Sequence, residues 1–371
     1  MTAPQPEAYC TMDTTGLLTE LVTTSTVSGD PAPQRLTMNT VLSLLRARTP
    51  MLTVEGDTDG PHPWMLITNE APPETTRLMF ACHVDTVPPG DLKHWQFDPF
   101  VADIEDGVLR GRGTSDMKAG LVAATAAVLN AIDNGVPVAF LLTSDEEIGS
   151  LGAQAARHAV ADCSVGAVVV PEATGNRVHL GHRGALWVDV FTAGVAAHGS
   201  TPQRGESAIF KLVDVLARAR EELPLASDAF LGAETFNVGL IDGGSAPNIV
   251  PDAAHVVIDH RTVGDGRDLL AWWRDQPEVD RIDARIDLPG VRTTPDNNWI
   301  SALPNPVAAE PVTYFTDASI LAAAAPSAPI VVWGPGTPAL MHAADESVSL
   351  AELDAAVAAY GAVTRAWPTV D

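Results

Sequence analysis

Two apolar stretches of this sequence end in side chains that are able to bind a metal ion or transfer a proton. The stretch "TRLMFAC" is followed by His83 and Asp85, and "VPVAFLLTS" runs into Asp145, Glu146 and Glu147. Imidazole and carboxylate groups serve as metal ligands and as general bases. Acids that follow an apolar stretch are also common in solvent-exposed turns, so these residues alone leave a turn and a chemical site open.

Three further groups of this kind occur along the chain. Asp116 lies in "GRGTSDMKAG" before a predicted helix, Glu172 in "PEATG" after the apolar stretch "SVGAVVV", and His342 in "GPGTPALMHAADE". Taken alone, Asp116 is explained as an acid at a helix N-terminus, and Glu172 as a turn residue. In open α/β sheets, however, ligands bind beyond the carboxyl ends of the strands. Since five elements present an imidazole or a carboxylate at that predicted edge, chance placement explains the pattern poorly.

This donor set indicates the type of ion. Two histidines with three or four carboxylates and no thiol suit a divalent metal ion such as Zn²⁺, Co²⁺ or Mn²⁺. One carboxylate shared between two ions would give a dinuclear centre with a separation of about 3.5–4 Å.

The spacing within the two clusters suggests a division of roles. Asp85, two positions after His83, is placed to accept the second N–H of that imidazole and so to fix its tautomer. Neighbouring carboxylates on extended backbone point in different directions, so one of Glu146 and Glu147 is able to bind metal while the other acts as a general base. Asp145 has no predicted catalytic role, and we expect it to begin a helix or to accept hydrogen bonds.

The elements that must position these groups alternate between helix and strand from about residue 14 to 163. Helical periodicity predicts the helices, and near-continuous apolar runs predict the strands. Strands of that kind indicate a mostly parallel sheet that is covered on both faces. The predicted helices are residues 14–25, 33–48, 117–135 and 150–162, and the predicted strands are residues 76–82, 136–144 and 164–170.

The middle of the chain has a different pattern, with alternating strands. The order strand-helix-strand-strand-helix-strand is that of the split ferredoxin-like unit. Its predicted elements are residues 184–194, 205–223, 234–244, 253–263, 264–276 and 281–288. A strand at 328–336 and a helix at 349–367 then return to the α/β pattern. The predicted domains are a disordered tail (1–12), a first domain (13–179 and 289–371) and the inserted module (180–288).

Composition argues against several classes of partner. The chain has 371 residues and a net charge of −25, which argues against binding to nucleic acid or to an anionic membrane surface. No apolar stretch approaches the ~20 residues of a membrane span, and the first residues lack the basic and apolar regions of a signal peptide. Three scattered cysteines indicate a reducing compartment, so we expect a cytoplasmic protein.

The stretches that carry these groups, in this order, resemble the M20 family of dinuclear zinc metallopeptidases. The matching stretches are "ACHVDTVP", "GRGTSDMKAG", "TSDEEIGS", "PEAT", "AAHGS", "PNIVPD", "IDHRTV" and "GPGTPALMHAADE". That family includes acetylornithine deacetylase, succinyl-diaminopimelate desuccinylase, aminoacylase and glutamate carboxypeptidase. The resemblance implies an α/β fold, with a zinc-peptidase-like catalytic domain on a mostly parallel sheet and an inserted ferredoxin-like α+β domain for lid and dimerisation functions.

The resemblance also implies a role for each acidic or imidazole group. Asp85 would orient His83, and Glu146 would take the proton of the attacking water and pass it to the leaving amine. The metal ions would polarise the carbonyl group and lower the pKa of the water. Five residues would bind the two ions, with Asp116 bridging: His83, Asp116 and Glu172 at one ion, and Asp116, Glu147 and His342 at the other.

Further implied roles fall on the inserted module. His198 of "AAHGS" would reach into the active site of the partner subunit and stabilise the oxyanion. Asn248 and Arg261 would bind the substrate carboxylate, and Arg183 is a second candidate contact for an anion.

Two short loops of the first domain complete the implied site. The "GPG" loop (residues 334–336), with Gly336, and the following Thr337 would contact substrate. Thr316 and Asp317 of "TDA" would lie near the site in a supporting role.

Among the activities of this family, we predict hydrolysis of the amide bond of an N-acyl-L-amino acid, as in acetylornithine deacetylase. Alternatives are a succinyl-diaminopimelate desuccinylase and an exopeptidase that acts on a dipeptide or a C-terminal residue. A non-catalytic binding protein on the same fold would usually lack a ligand or the general base, whereas all five ligands and Glu146 are present here. We expect two divalent metal ions, zinc as first choice, and a homodimer that acts on a small molecule.

Overall fold

The computed structural model describes residues 12–72 and 75–367 of the chain, which form two compact units. The first unit runs to Gly181 and takes up again over Arg292–Val312 and from Thr316 onward. The second unit comprises His182–Val291 and Thr313–Phe315. The domain boundaries proposed from the sequence, at 179/180 and 288/289, stay a prediction. The predicted tail, up to residue 11, lies outside the described residues.

Each stretch that the sequence predicts as a strand contains one in the structure, and short strands that were not predicted accompany them. In chain order the strands are β1 (Leu52–Asp57), β2 (Trp64–Asn69), β3 (Arg77–His83), β4 (Asp103–Glu105), β5 (Val108–Arg110), β6 (Val138–Thr143), β7 (Val165–Val170), β8 (Gly181–His182), β9 (Gly184–Ala193), β10 (Ser227–Asp228), β11 (Gly232–Ala233), β12 (Thr235–Gly243), β13 (Ala253–Thr262), β14 (Arg281–Leu288), β15 (Val291–Arg292), β16 (Ile330–Val332) and β17 (Ser347–Ser349).

The predicted helices are also present. The α-helices are α1 (Thr14–Thr23), α2 (Pro31–Arg48), α3 (Ala119–Asp133), α4 (Leu151–Asp162), α5 (Ala208–Glu222), α6 (Arg267–Arg274), α7 (Asn298–Ser301), α8 (Ala318–Ala324) and α9 (Leu350–Ala366). Single turns of 3-10 helix lie at Leu92–His94, Pro202–Arg204 and Pro338–Leu340. Within residues 12–72 and 75–367, no helix is long and apolar enough to cross a membrane.

The first unit is built on a sheet with the strand order β1-β2-β6-β3-β7-β16. Strands β6, β3, β7 and β16 are parallel to one another, and β2 and β1 extend the sheet through antiparallel pairing. Every residue of β6 is buried, as is every residue of β3 after the first, because helices such as α3 and α4 pack on the sheet. The predicted, mostly parallel α/β sheet is confirmed.

Helix α3 approaches the loop after β7 very closely, and a glycine makes this approach feasible. A Cβ atom on Gly120 would lie only 1.8 Å from the carbonyl oxygen of Pro171. Any larger residue at this position would therefore push α3 away from the loop that carries Glu172.

The second unit is an antiparallel sheet in the order β14-β9-β13-β12, on which α5 and α6 pack. Alternate residues of β13, such as Val256 and Ile258, are buried in a core with Leu212 of α5 and Trp273 of α6. The element order β9-α5-β12-β13-α6-β14 is that of the ferredoxin-like α+β unit, which confirms this part of the predicted fold class. Strand β12 lies at an edge of its sheet.

Candidate metal centre

The parallel strands of the first unit bring predicted metal ligands to one edge of the sheet. His83 is the last residue of β3, Glu146 and Glu147 come shortly after β6, and Glu172 comes shortly after β7. Strands β6, β3 and β7 are parallel neighbours, so their carboxyl ends lie side by side. The sheet therefore gathers groups from distant parts of the chain at the position where open α/β sheets bind ligands.

Three residues form a fully buried set, which we call the buried ligand group. The Nε2 atom of His83 lies 3.2 Å from Oδ1 of Asp116 and 3.3 Å from Oε1 of Glu172. The other carboxylate oxygen of Glu172, Oε2, is buried and has no hydrogen-bond partner among the described residues. A buried carboxylate oxygen without a donor has lost its hydration, and a cation would compensate this loss.

A second set shares Asp116 and is more accessible, so we call it the exposed ligand group. The Nε2 atom of His342 lies 3.1 Å from Oδ2 of Asp116 and 2.9 Å from Oε2 of Glu147. Glu147 is half-buried and His342 is exposed. Asp116 directs one carboxylate oxygen toward His83 and the other toward His342, as a bridging ligand does.

The loop that carries Asp116 is held by Glu346, a residue that was not singled out in the sequence. The buried carboxylate of Glu346 accepts the backbone N–H groups of Gly113 (2.9 Å), Ser115 (2.8 Å) and Asp116 (3.0 Å). It also pairs with the buried guanidinium of Arg112 at 2.6 Å. One glutamate at the end of "HAADE" gives no pattern that separates it from a surface acid, so the sequence carries little signal for this role.

Asp85 connects His83 to the loop of the proposed general base. The Nδ1 atom of His83 lies 3.1 Å from the main-chain oxygen of Asp85 and 3.4 Å from its carboxylate oxygen Oδ1. The carboxylate accepts the N–H groups of Glu146 (3.1 Å) and Glu147 (3.3 Å) and the hydroxyl of Ser28 (2.7 Å). The predicted contact with His83 is thus shared between main chain and carboxylate, and the binding of the Glu146 loop is a second role that was not predicted.

Burial and mutual charge shift the pKa of the acids. Burial raises the pKa of Glu172 and that of Glu147 to about 7, and the charge of Asp116 adds to both effects. Burial also raises the pKa of Glu146 well above its usual range. For Asp116, burial acts in the same direction, but hydrogen bonds from the two histidines hold its pKa well below the usual range.

The surrounding carboxylates raise the pKa of both histidines. Hydrogen bonds to Asp116 and Glu147 raise the pKa of His342 to about 10. Burial lowers the pKa of His83, but the charge of Glu172 and hydrogen bonds to the surrounding carboxylates raise it well above its usual value. Four carboxylates thus cluster around two imidazoles, and a bound cation would stabilise the ionised form of each of these acids.

The donor chemistry fits two divalent metal ions. In each ligand group, the three ligating atoms lie within 4.8 Å of one another. Imidazole and carboxylate ligands suit zinc and its neighbours, and three protein ligands per ion are typical of catalytic sites, which keep a position open.

The "GPG" loop packs closely against the ligand loops. A Cβ atom on Gly334 would lie 2.4 Å from a backbone oxygen of the loop that carries Glu172. Gly336 has a φ of +97°, and a Cβ atom there would lie 2.7 Å from the hydroxyl oxygen of Ser115, beside Asp116. Both positions therefore require glycine. The substrate contacts proposed for Gly336 and for the exposed Thr337 stay predictions.

The "TDA" element lies at the end of β6. The hydroxyl of Thr143, the last residue of that strand, donates to Oδ2 of Asp317 at 2.5 Å. Thr316 and Asp317 are both buried. This placement near the Glu146 loop agrees with a supporting role.

The remaining predicted residues belong to the second unit, and His198 is exposed on it. The Nδ1 atom of His198 lies 2.7 Å from the hydroxyl oxygen of Ser200 and 3.1 Å from its backbone nitrogen. The neighbouring Gly199 donates its N–H to the carbonyl oxygen of Asn248 at 2.7 Å. The His198 loop is thereby tied to Asn248, and the catalytic and substrate-binding roles of both residues stay predictions.

The two predicted anion-binding arginines of this unit have partners of their own. Arg183 donates to the carbonyl oxygen of Ala233 at 3.1 Å. Arg261 pairs with Asp259 at 3.0 Å and lies over the ring of Phe315, 5.9 Å from its centroid. A substrate carboxylate would therefore share Arg261 with Asp259, and its binding there stays a prediction.

The fold and the two ligand groups define a metal-dependent hydrolase on an α/β scaffold. The chain belongs to peptidase family M20/M25/M40, whose family model matches residues 79–366. This finding confirms the predicted family and the prediction of an M20 hydrolase.

Relatives of known name agree with this assignment. The chain is 32% identical over 323 residues to a protein of Maricaulis maris named succinyl-diaminopimelate desuccinylase, and the match covers 78% of this chain and 81% of that protein. Several further relatives of the same name match over about half of their length.

Solved structures of the family have the same fold. An M20 family metallo-carboxypeptidase from Sulfolobus solfataricus matches with a TM-score of 0.79 at 18% identity, over 96% of this chain and all of that one. A dinuclear metal binding peptidase of the M20 family from Bacillus subtilis matches with a TM-score of 0.64 at 13% identity, over 96% and 98% of the two chains. At these identities the likeness shows the fold alone.

Proposed function

We propose that this protein hydrolyses the amide bond of an N-acyl-L-amino acid with two bound divalent metal ions, releasing a carboxylate and a free amino acid. The observation that carries the proposal is the pair of ligand groups that share Asp116, with the carboxyl of Glu146 buried beside them. Zinc is our first choice of ion, with Co²⁺ or Mn²⁺ as alternatives. When bound, such ions supply Lewis acidity to the amide carbonyl and to the attacking water.

Glu146 is the proposed general base. Its Oε1 atom is buried and has no hydrogen-bond partner among the described residues, so it is available to take a proton from water. Burial raises the pKa of Glu146 above its usual range, which favours uptake of the proton that Glu146 would later deliver to the leaving amine nitrogen. A group that acts first as base and then as acid needs a proton affinity of this kind.

The relatives guide the choice of acyl group. The Maricaulis maris protein carries the name succinyl-diaminopimelate desuccinylase, which supports an N-succinyl amino acid as the first substrate to test. The sequence motifs alone had favoured an N-acetyl amino acid, so both acyl groups belong in the same assay.

A substrate panel on the zinc-loaded protein tests the proposal. N-succinyl-diaminopimelate, N-acetylornithine, an N-formyl amino acid and two dipeptides are compared by release of the free amine. We expect the highest kcat/KM for an N-acyl amino acid. Highest activity on the dipeptides would replace the proposal with an exopeptidase.

The Glu146→Gln variant serves as the matched blank for this assay. It should keep two metal ions per chain and lose about 10²–10⁴-fold in kcat, since general-base catalysis contributes that much. Near-normal turnover of this variant would remove Glu146 as the base without affecting the substrate assignment.

We further propose that the protein forms a homodimer through its second unit. Leu240 and Ile241 of the edge strand β12 have exposed fractions of 64% and 60%, and Phe210 of α5 is 72% exposed. An edge strand with apolar side chains invites pairing with another strand, and a second copy of the chain offers a matching surface. In such a dimer, the Nε2–H group of His198 from one subunit would donate a hydrogen bond to the oxyanion in the other subunit and so stabilise it.

Mixing two inactive variants tests this arrangement. His198→Ala and Glu146→Gln subunits that exchange at random should regain about one quarter of the wild-type rate, since half of the dimers then hold one intact site of two. No recovery in confirmed mixed dimers would contradict a role of His198 across the interface.

A further inference from the structure

Asp145, the residue before the proposed base, has a fully buried side chain that is bound by three separate segments. Its Oδ1 atom accepts the N–H of Gly29 at 2.8 Å and the side-chain amide of Gln34 at 2.9 Å. Its Oδ2 atom lies 2.7 Å from Nδ1 of His62. Gly29 lies between α1 and α2, Gln34 lies in α2, and His62 lies in the turn between β1 and β2. Asp145 therefore does more than follow strand β6, because its carboxylate joins these three segments.

A second acid binds the same turn from the neighbouring strand. Asp85, which follows β3, accepts the N–H groups of Glu146 and Glu147. The hydroxyl of Ser28 donates to Asp85 at 2.7 Å, and the next residue, Gly29, donates to Asp145. The consecutive residues Ser28 and Gly29 thus connect the two acids on either side of the Glu146 backbone.

The backbone at Asp145 also needs support from outside the turn. Asp145 has a φ of +55°, in the left-handed region that residues other than glycine adopt only when surrounding contacts hold them there. This residue lies directly before Glu146, so its backbone conformation sets the direction in which the chain enters the Glu146 loop. The contacts of the Asp145 side chain with Gly29, Gln34 and His62 stabilise this backbone conformation.

We propose that Asp145 is a positioning residue for hydrolysis, held by Gly29, Gln34 and His62, and that this clamp fixes the carboxylate of Glu146 for proton transfer. The proposal rests on the proposed function, because it takes Glu146 as the general base. General-base catalysis depends on hydrogen-bond reach, and a misplacement of about 1 Å costs on the order of 10²-fold in rate. The clamp acts through the backbone of Glu146, so it should affect kcat more than KM.

Two substitutions at Asp145 test the clamp on the zinc-loaded full chain. Asp145→Ala removes all three hydrogen bonds, and we expect kcat to fall about 10²-fold, with KM within about twofold and two metal ions retained. Asp145→Asn keeps an oxygen that accepts from Gly29 and Gln34, so it should recover most of the loss. A merely structural residue would show a lower unfolding temperature but a normal kcat per metal-loaded site below that temperature.

His62→Phe tests the same clamp at a half-exposed position where misfolding is not expected. The side chain of His62 is 38% exposed, and the substitution removes a single contact with Asp145. We expect kcat to fall about threefold to tenfold with unchanged metal content. The matched control is His158→Phe, because His158 is exposed on α4 and lies 3.7 Å from the exposed Glu55; this variant should keep the wild-type rate.

The results separate this proposal from the function on which it rests. If His62→Phe and Asp145→Ala keep the wild-type kcat, or if Asp145→Ala loses activity only in proportion to lost metal, the clamp is wrong. If Asp145→Ala does not fold, His62→Phe against His158→Phe decides. Normal turnover of Glu146→Gln would instead overturn the general base, whatever the variants of the clamp show.

Discussion

The buried and the exposed ligand groups share Asp116 but differ in how the fold holds them. The side chain of His83 is 1% exposed, whereas that of His342 is 51% exposed. His83 ends a central strand of the sheet, with covered strands on both sides. His342 lies in a loop and has a φ of +62°, so its backbone depends on its neighbours to keep this conformation.

The supports of the two groups differ in the same way. The Nδ1 atom of His83 contacts the main-chain oxygen of Asp85, which lies two residues beyond the end of the same strand. The loop of His342 depends on Arg112, whose guanidinium lies 3.4 Å from the carbonyl oxygen of His342 and pairs with Glu346. One ligand group is therefore part of the core of the sheet, while the other is assembled from loops at the surface, where water and substrate have access.

The largest expected effect comes from the residue that the two groups share. Asp116→Ala removes a ligand from both, so the metal content should fall from two ions per chain to near zero and hydrolysis should fall to the level of the blank. Metal analysis after dialysis, together with the substrate assay, measures both effects. Asp133→Ala, which removes an exposed acid paired with Arg48, is the control and should keep both ions. If Asp116→Ala kept one ion per chain, the bridging role would be wrong.

The next prediction separates the two groups. His342→Ala should lose the ion of the exposed group and keep about one ion per chain, since the buried group stays complete. In the wild-type protein, a chelator should remove the metal in two phases, and the fast phase should be absent from His342→Ala. The physical reason is that a chelator reaches the half-exposed His342 side without opening the sheet. Equal release rates for both ions would contradict the difference in accessibility.

Most of the buried group could be predicted from the sequence because it depends on strands. Apolar runs identify β3, β6 and β7, and the rule that ligands lie at the carboxyl ends of parallel strands then places His83 and Glu172 together. The motif resemblance assigned Asp116, Glu147 and His342, which lie in loops where periodicity gives no information. The inserted ferredoxin-like unit was predictable for a different reason, because apolar and polar residues alternate along its strands and its strands and helices follow the order of that unit.

The supporting contacts could not be predicted, because they join residues far apart in the chain. Glu346 contacts Asp116 across 230 positions, and Asp145 contacts Gly29 across 116. The edge strand β1 and its neighbour β2 were also missed. Strand β1 ("LTVEGD") is largely exposed, so it lacks the continuous apolar run that marked the central strands. The contacts of Glu346 and Asp145 can be identified only in the folded structure, because nothing in the local sequence pattern separates a buried acid from a surface acid.

The smallest predicted effect concerns Glu346, the buried acid behind the Asp116 loop. Glu346→Gln keeps the size of the side chain and an oxygen that accepts from Ser115 and Asp116, but it loses the charged pair with Arg112 and the acceptor for Gly113. Partners that orient metal ligands typically contribute about 10–100-fold to metal affinity, and we expect the lower end, about tenfold weaker zinc binding, because part of the network survives.

Zinc titration of the metal-free protein measures this affinity, with kcat determined at saturating zinc. The matched control is Glu310→Gln, since Glu310 is an exposed acid that pairs with Arg177 at 3.0 Å, and its zinc affinity should not change. At saturating zinc, kcat of Glu346→Gln should lie within about threefold of wild type, because the loop still presents Asp116 once the ions hold it. A loss of kcat that saturating zinc does not restore would mean that Glu346 acts on the reaction itself and not through Asp116, and the difference between the two ligand groups would then extend beyond metal binding.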